Sequence, residues 1–390
     1  MTRVRVGLET LLADHTRLLK GKRIGLVAHQ ASVDGSLQHA ITLLRSLRAV
    51  RLSTLFAPEH GLSGAAQDHA RIPNARDPRT GCRVWSLYGR RRAPTAEMLR
   101  DLDLLVLDLQ EVGARYYTFV WTMALTLAAC GRSGIPLVVL DRPNPLGGLL
   151  TEGNVLDPRF ASFVGLYPVP VVHGMTMGEL AGLLNARFGL GARLEVVPMR
   201  GWRRRMLWEE TGLPWVAPSP NMPTPDTARV YPGACLVEGT NLSEGRGTTR
   251  PFEYIGAPFL DPHAWAEALN REPLPGVHFR PCYFRPTFHK YAGRLCGGVQ
   301  WHVLDPARFK PYLTGLAVIA TARRLAPKRF AWRKPPYEFE GKKLPIDLLC
   351  GTARIRRQIE ADRPLRQIEE SWQSELARFR RLRQPFLLYR

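Results

Sequence analysis

The 390-residue sequence has no run near the roughly 18 apolar residues needed to span a bilayer, so no membrane-crossing helix is expected. Its six cysteines, Cys82, Cys130, Cys235, Cys282, Cys296 and Cys350, stand far apart and never form C-x-x-C. That spacing excludes zinc-finger and dithiol redox chemistry and reads as scattered reduced thiols. There is no G-x-x-x-x-G-K-[ST], and the first strand-like run leads into His29-Gln30-Ala31-Ser32 rather than G-x-G-x-x-G. ATP and dinucleotide binding thereby lose their main support. The G-x-S-x-G elbow and H-E-x-x-H are also absent, and the ten histidines lack ligand spacing. Neither a metal nor a cofactor is expected.

Negative charge is scarce: 34 acidic residues face 55 basic ones, a net charge of +21, and only eight of the basic residues are lysines. Residues 321–390 hold 18 basic and eight acidic residues, so nearly half of the excess lies in one segment. A solvated basic face explains this, and an anionic polymer is the alternative partner. Nucleic acid ranks last, because no recognition motif accompanies the charge. The start, Met1-Thr2-Arg3-Val4-Arg5, is followed by charges at Glu9, Asp14, Arg17 and Lys20, without a long apolar stretch. A cytoplasmic location is the expectation.

Strand-like and helical patterns alternate through the first half. Arg23–Ala28, Leu52–Phe56, Leu104–Asp108, Ile135–Leu140, Val169–Val172 and Leu194–Val197 read as strands. Helical spacing separates them over Leu37–Leu47, Phe119–Cys130 and Thr176–Asn185. This order predicts an α/β fold: a Rossmann-like, mostly parallel sheet with helices on both faces. Strands and helices after the loop-rich stretch 214–259 predict a smaller α+β C-terminal domain. The expected division is a catalytic domain over 1–230 and a cleft-closing domain over 231–390.

In such sheets ligands bind beyond the carboxyl ends of the strands. The residues there are His29-Gln30, Glu59-His60, Asp108, Gln110, Glu111, Asp141, Arg142, Asn144 and His173. Polar residues resume at any strand end, but this edge is unusually rich in Asp, Glu and His. Glu238 and Glu244 add carboxylates from the loop-rich segment. Cleaving a glycosidic bond needs one carboxylic acid to protonate the leaving oxygen and a second negative group near the anomeric carbon. Glu59, held between Pro58 and Gly61 at an apolar strand end, suits the acid role, with His60 beside it as an orienting or binding group. The competing reading makes Glu59 a helix cap or an arginine partner.

The stretches APEHGLSG, LQEVGARYYT, LDRPNPLGG, GLYPVPVVHGMTMGELA and PSPNMPTPDTARVYPGACLVEGTNLSEGRGTTRPFE strongly resemble the NamZ-type exo-β-N-acetylmuramidases, from about Leu26 to the C-terminal segment. The resemblance implies a two-domain peptidoglycan-recycling glycosidase. It would release β-1,4-linked N-acetylmuramic acid from the non-reducing end of peptide-free glycan. It places the family's proposed catalytic glutamate at Glu59; Glu111 and Asp141 are the candidates for its partner. The lactyl carboxylate of that sugar calls for an arginine fork, for which Arg115, Arg142 and Arg246 are candidates. Asn144, Asn221 and Asn241 are candidates for hydroxyl or acetamide contacts, Tyr117 for stacking, and His173, Glu238 and Glu244 for further substrate contacts. Family members often have an acidic residue directly after the glycine at position 64; this chain has Ala65-Ala66-Gln67-Asp68. A carbohydrate-binding protein without turnover is the alternative.

Overall fold

The computed structural model describes residues 3–390. Seven strands form the main sheet: β1 (Arg23–Ala28), β2 (Arg51–Ala57), β3 (Ala75–Arg76), β4 (Arg83–Ser86), β5 (Leu104–Asp108), β6 (Leu137–Leu140) and, later in the chain, β9 (Leu194–Val197). Their order is β3-β4-β2-β1-β5-β6-β9, and only the β3–β4 pair is antiparallel. The six parallel strands thus lie in the order third, second, first, fourth, fifth, sixth. That is the doubly wound Rossmann order, with its switch point between β1 and β5.

The strands read as apolar runs because both sheet faces are covered. All five residues of β5 are buried. Leu26, Leu55, Val106 and Val138 pack with the helices Gly7–Asp14 and Ala40–Ser46 on one face. Val27, Phe56, Leu107 and Val139 pack with the helices Phe119–Ser133 and Met177–Arg187 on the other. The helix Met177–Arg187 starts at a capping box: Thr176 accepts from the Glu179 N–H, and Glu179 accepts from the Thr176 N–H.

The run at 169–172 does form a strand, but not in this sheet. Pro170–Val172 (β8) pairs antiparallel with Glu152–Val155 (β7) as a separate ribbon. His173 therefore does not reach the sheet edge where its neighbours were expected. Physically, a short buried apolar run is compatible with either placement, and strand pairing decides between them.

The C-terminal part holds a three-stranded antiparallel sheet in the order β10 (Tyr254–Ala257), β12 (Cys296–Val303), β11 (Val277–Phe284). The helix Pro311–Leu325 is buried at every position from Pro311 to Ala322, because it lies between the two halves. Glu152 of β7 accepts hydrogen bonds from the Tyr312 and Leu313 N–H groups, both at 2.9 Å, and so caps its N-terminus. The helix Pro225–Ala234, which spans the expected boundary at 230/231, packs against it.

These two helices touch backbone to backbone. A Cβ added at Gly315 would sit 2.3 Å from the Gly233 carbonyl oxygen. Gly315→Ala should therefore force the pair apart and lower unfolding free energy by about 1–3 kcal/mol, as overpacking does. Denaturant titration with an unchanged midpoint would show that the contact is not as close as described.

Candidate active site

The chain leaving β2 turns sharply at Pro58-Glu59-His60-Gly61. The Pro58 carbonyl accepts from the Gly61 N–H at 3.1 Å, and His60 sits in the left-handed region at φ 70°. A non-glycine residue there costs roughly 1–2 kcal/mol. Burial of the imidazole and its Nδ1 contact to the Ala66 carbonyl, 2.8 Å, offset this. The turn aims Glu59 away from the strand. Its Oε2 accepts a hydrogen bond from the Thr118 hydroxyl at 2.7 Å, from the residue that precedes the helix Phe119–Ser133.

Glu59, 5% exposed, borders a narrow pocket of about 40 Å³. Four groups of segments line it. The loop after β2 supplies Glu59, His60 and Asp68, and the start of the helix after β5 supplies Tyr116, Tyr117 and Thr118. The C-terminal half supplies Glu238, Arg246, Phe252, Tyr337 and Glu338, while Asn221 enters from the loop-rich segment. The cavity lies between the sheet edge and the C-terminal half.

Its floor is organised by Arg246. This guanidinium lies 3.2 Å from Asp68, 2.8 Å from Glu238 and 3.4 Å from Glu244, and it covers the Phe252 ring at 5.0 Å. Burial works against its charge, but the surrounding carboxylates outweigh this and hold its pKa above the ordinary value. Lys290, 3.0 Å from Glu244, and His289, 3.3 Å from Asp68, complete the charge balance. Burial would raise the pKa of Asp68 and of Glu244, yet these cations hold both below the usual carboxylate range. Tyr337 donates to the second oxygen of Glu238 at 2.7 Å.

Glu338 stands apart from this network. The Tyr88 hydroxyl lies 3.5 Å from its Oε2 and His69 Nδ1 lies 3.5 Å from its Oε1. Burial, and then the charge of Glu59, push its carboxyl well above the usual range. Tyr88 faces both glutamates; burial and then the charge of Glu59 push its hydroxyl upward. Two carboxyl groups thus share one narrow pocket, one bonded to a hydroxyl and the other favouring its proton.

Of the residues singled out from sequence, Glu59, His60, Tyr117, Asn221, Glu238 and Arg246 line the cavity, and Glu244 braces Arg246 from behind. Tyr117 presents a buried hydroxyl next to Ser219 that lacks a well-formed hydrogen bond to the protein. Asn221 donates to Gln67 at 2.7 Å.

The others are placed elsewhere, each for a visible reason. Asp141 binds the Thr176 and Tyr389 hydroxyls and the Gly178 N–H, so it anchors the start of the helix Met177–Arg187. Glu111 is buried against the Gly113 N–H and 3.6 Å from His173. His173 Nδ1 accepts from the Met175 N–H. Arg115 is fully buried and donates to the Asn154, Val169 and Leu349 carbonyls, all at 2.9 Å. Arg142 grips Asp108 with two bonds, at 2.5 and 2.8 Å, and plugs the sheet's switch point. Asn144 joins the Met175 carbonyl to the Leu146 N–H, and Asn241 pairs with the backbone of residues 329 and 331. Among the described residues, no group of three or more His, Cys, Asp or Glu side chains could hold a metal ion.

Sequence reasoning missed Asp68, Tyr88 and Glu338 as site residues. Asp68 had a signal, the displaced acid after Gly64. Glu338 follows Pro335-Pro336-Tyr337 in a stretch without periodicity, and only a proline-anchored acidic turn marks it.

Comparison with known proteins extends this geometry. Residues 24–226 match the family model described as the N-terminal part of exo-β-N-acetylmuramidase NamZ, and residues 229–389 match its C-terminal part. The chain is 46% identical over 387 residues to the peptidoglycan β-N-acetylmuramidase NamZ of Bacillus subtilis, covering 99% of this chain and 92% of that one. Two crystal structures of DUF1343 family proteins from Bacteroides fragilis share the fold. One superposes with a TM-score of 0.90 at 35% identity over the whole of both chains. The other superposes with a TM-score of 0.78 at 27% identity, covering 100% of this chain and 99% of that one.

The relocated Glu111 makes a stability prediction. Burial is the main cause that pushes its carboxyl from 4.5 up to about 8. The fold therefore favours its protonated form, and that contribution is complete below the unfolded pKa and lost as pH rises through the folded one. Glu111→Gln should flatten the fall in unfolding midpoint between about pH 4.5 and 8. An unchanged pH slope would contradict a protonated buried acid.

Proposed function

The chain belongs to the NamZ exo-β-N-acetylmuramidase family of glycoside hydrolases, and we propose that it releases β-1,4-linked N-acetylmuramic acid from the non-reducing end of peptidoglycan fragments, with Glu59 as general acid. The observation that carries this reading is the placement of Glu59 in a narrow acidic pocket, with Glu338 beside it across the Tyr88 hydroxyl. The cavity lies where the proposed domains, 1–230 and 231–390, meet.

The pocket beside Glu59 is narrow, with room for only a few water-sized groups. The loop that carries Asp68 and the turn that carries Glu338 form one wall. A pocket closed at one end suits exo-action, because the terminal sugar fills it and the chain leaves through the mouth.

In this mechanism a proton held at Glu338 reaches Glu59 across the Tyr88 hydroxyl. Glu59 delivers it to the glycosidic oxygen as the bond from that oxygen to the anomeric carbon breaks. The remaining carboxylates, Glu238 and Asp68 among them, favour the positive charge that develops on the sugar. Water closes the anomeric carbon, and its released proton returns to the glutamate pair. Tyr117 and Asn221 are the proposed partners for sugar hydroxyl or acetamide groups. His60 orients Glu59 by fixing the turn. Arg246 is spent on three carboxylates, which argues for a supporting role rather than capture of the lactyl group.

Glu59→Gln should lower kcat on an N-acetylmuramic acid–N-acetylglucosamine disaccharide, whose leaving oxygen needs protonation, by at least about 10², the usual worth of a general acid. A rate within about threefold of the parent would refute the assignment. Glu338 provides an independent pH test. Its proton is present below its raised pKa and lost as pH rises through it. Glu338→Gln should therefore shift the alkaline limb of kcat/KM to lower pH, whereas an unmoved limb would separate Glu338 from the proton.

A further inference from the structure

Outside the Glu59 cavity lies an open groove of about 730 Å³. The two spaces share a wall. Tyr88 lines the groove and bonds Glu338 of the cavity, His69 of the groove follows Asp68 of the cavity, and Phe339 of the groove follows Glu338. A ligand that starts at Glu59 and leaves past Tyr88 must enter this groove.

Its chemistry is the reverse of the cavity's. The cavity is crowded with carboxylates, whereas no acidic side chain lines the groove. Arg71, Arg90 and Arg91 line it instead, all exposed, and none makes an ion pair among the described residues. Most other arginines near the site are already occupied: Arg246 by three carboxylates, Arg142 by Asp108, Arg115 by carbonyls. Three unpaired guanidinium groups around one groove form a local field that favours an anion. Phe339 adds an aromatic surface. It is 51% exposed, held at φ 67°, and supported by the Tyr88 ring at 5.4 Å and by Arg92 at 4.9 Å. A large exposed ring kept in a strained backbone position is unusual unless something covers it.

Resting on the glycosidase reading above, we propose that this groove holds the part of the glycan on the leaving-group side of the cleaved bond, and that it prefers a chain carrying a free carboxylate. Phe339 packs against a sugar face, and Arg71, Arg90 and Arg91 take the acid. The groove's volume falls in the range of small-molecule sites and accommodates more than one sugar unit.

The test uses the full-length enzyme and three substrates with the same terminal N-acetylmuramic acid. One has an aryl leaving group, one a neutral single-sugar leaving group, and one a trisaccharide leaving group that carries a second lactyl carboxylate. The acidic chain should give a kcat/KM about tenfold above the neutral one, chiefly through KM, as expected for one charge-assisted contact. The advantage should shrink at high salt. The double substitution Arg90→Gln with Arg91→Gln should bring the acidic-to-neutral ratio close to one, and Phe339→Ala should lower kcat/KM on both sugar leaving groups relative to the aryl one. An acidic-to-neutral ratio near one in the parent enzyme, or one that survives the double substitution, overturns the groove assignment while the glycosidase reading stands. No turnover of any of the three substrates overturns both.

Discussion

One guanidinium makes the site possible. Five carboxylates, Glu59, Asp68, Glu238, Glu244 and Glu338, converge on or beside one narrow pocket. Left alone, their mutual repulsion and loss of water would be prohibitive. Arg246 engages three of them and ties together two segments distant in sequence, the loop after β2 and the loop-rich stretch of the C-terminal half. Lys290 and His289 extend the same balance. With three carboxylates neutralised in this way, Glu59 and Glu338 are the two without a cationic partner among arginine and lysine, which is why the proposed chemistry is assigned to them.

The sheet delivers these parts without itself forming the site. Its switch point, the usual ligand crevice of a doubly wound fold, is filled by the Arg142–Asp108 pair and by the Ser32 hydroxyl, which donates to the Asp108 carbonyl at 2.5 Å. The functional space lies outward from it, over the ends of β2 and β5, where the C-terminal half closes it. The fold class thus pointed to the edge near which the candidate residues gather, but those residues sit on loops that the strands position.

Much of this was legible in the residues. The strands stood out because burial on both faces makes them nearly pure apolar runs, as in Leu104–Asp108. Glu59 stood out because proline, acid, imidazole and glycine in succession specify a tight turn, and the left-handed His60 confirms one. What sequence cannot convey is which way a strand-end side chain points. Glu111, Asp141, Asn144 and His173 occupy the same kind of position as Glu59, yet each is consumed by a nearby backbone or hydroxyl group. Asp68 and Glu338 were passed over for the opposite reason, although each carried a faint local signal. Neither lies at a strand end, and only tertiary packing brings position 338 across from position 59. Arg115 and Asn241 belong to matched motifs, but their partners are backbone carbonyls, so motif membership marks the fold there and not the chemistry.

The proposed general-acid role of Glu59 carries a spatial requirement: the bond to be cleaved must lie between this carboxyl and the mouth bordered by Tyr88. A crystal structure of the Glu59→Gln enzyme with an intact N-acetylmuramic acid–N-acetylglucosamine disaccharide tests this directly. The glycosidic oxygen should lie within hydrogen-bonding distance, about 3 Å, of the substituted side chain at position 59, with the terminal sugar over Tyr117 and Asn221 and the second sugar beyond Tyr88. A disaccharide seated at the Arg142–Asp108 plug, or with its glycosidic oxygen remote from position 59, would contradict that placement.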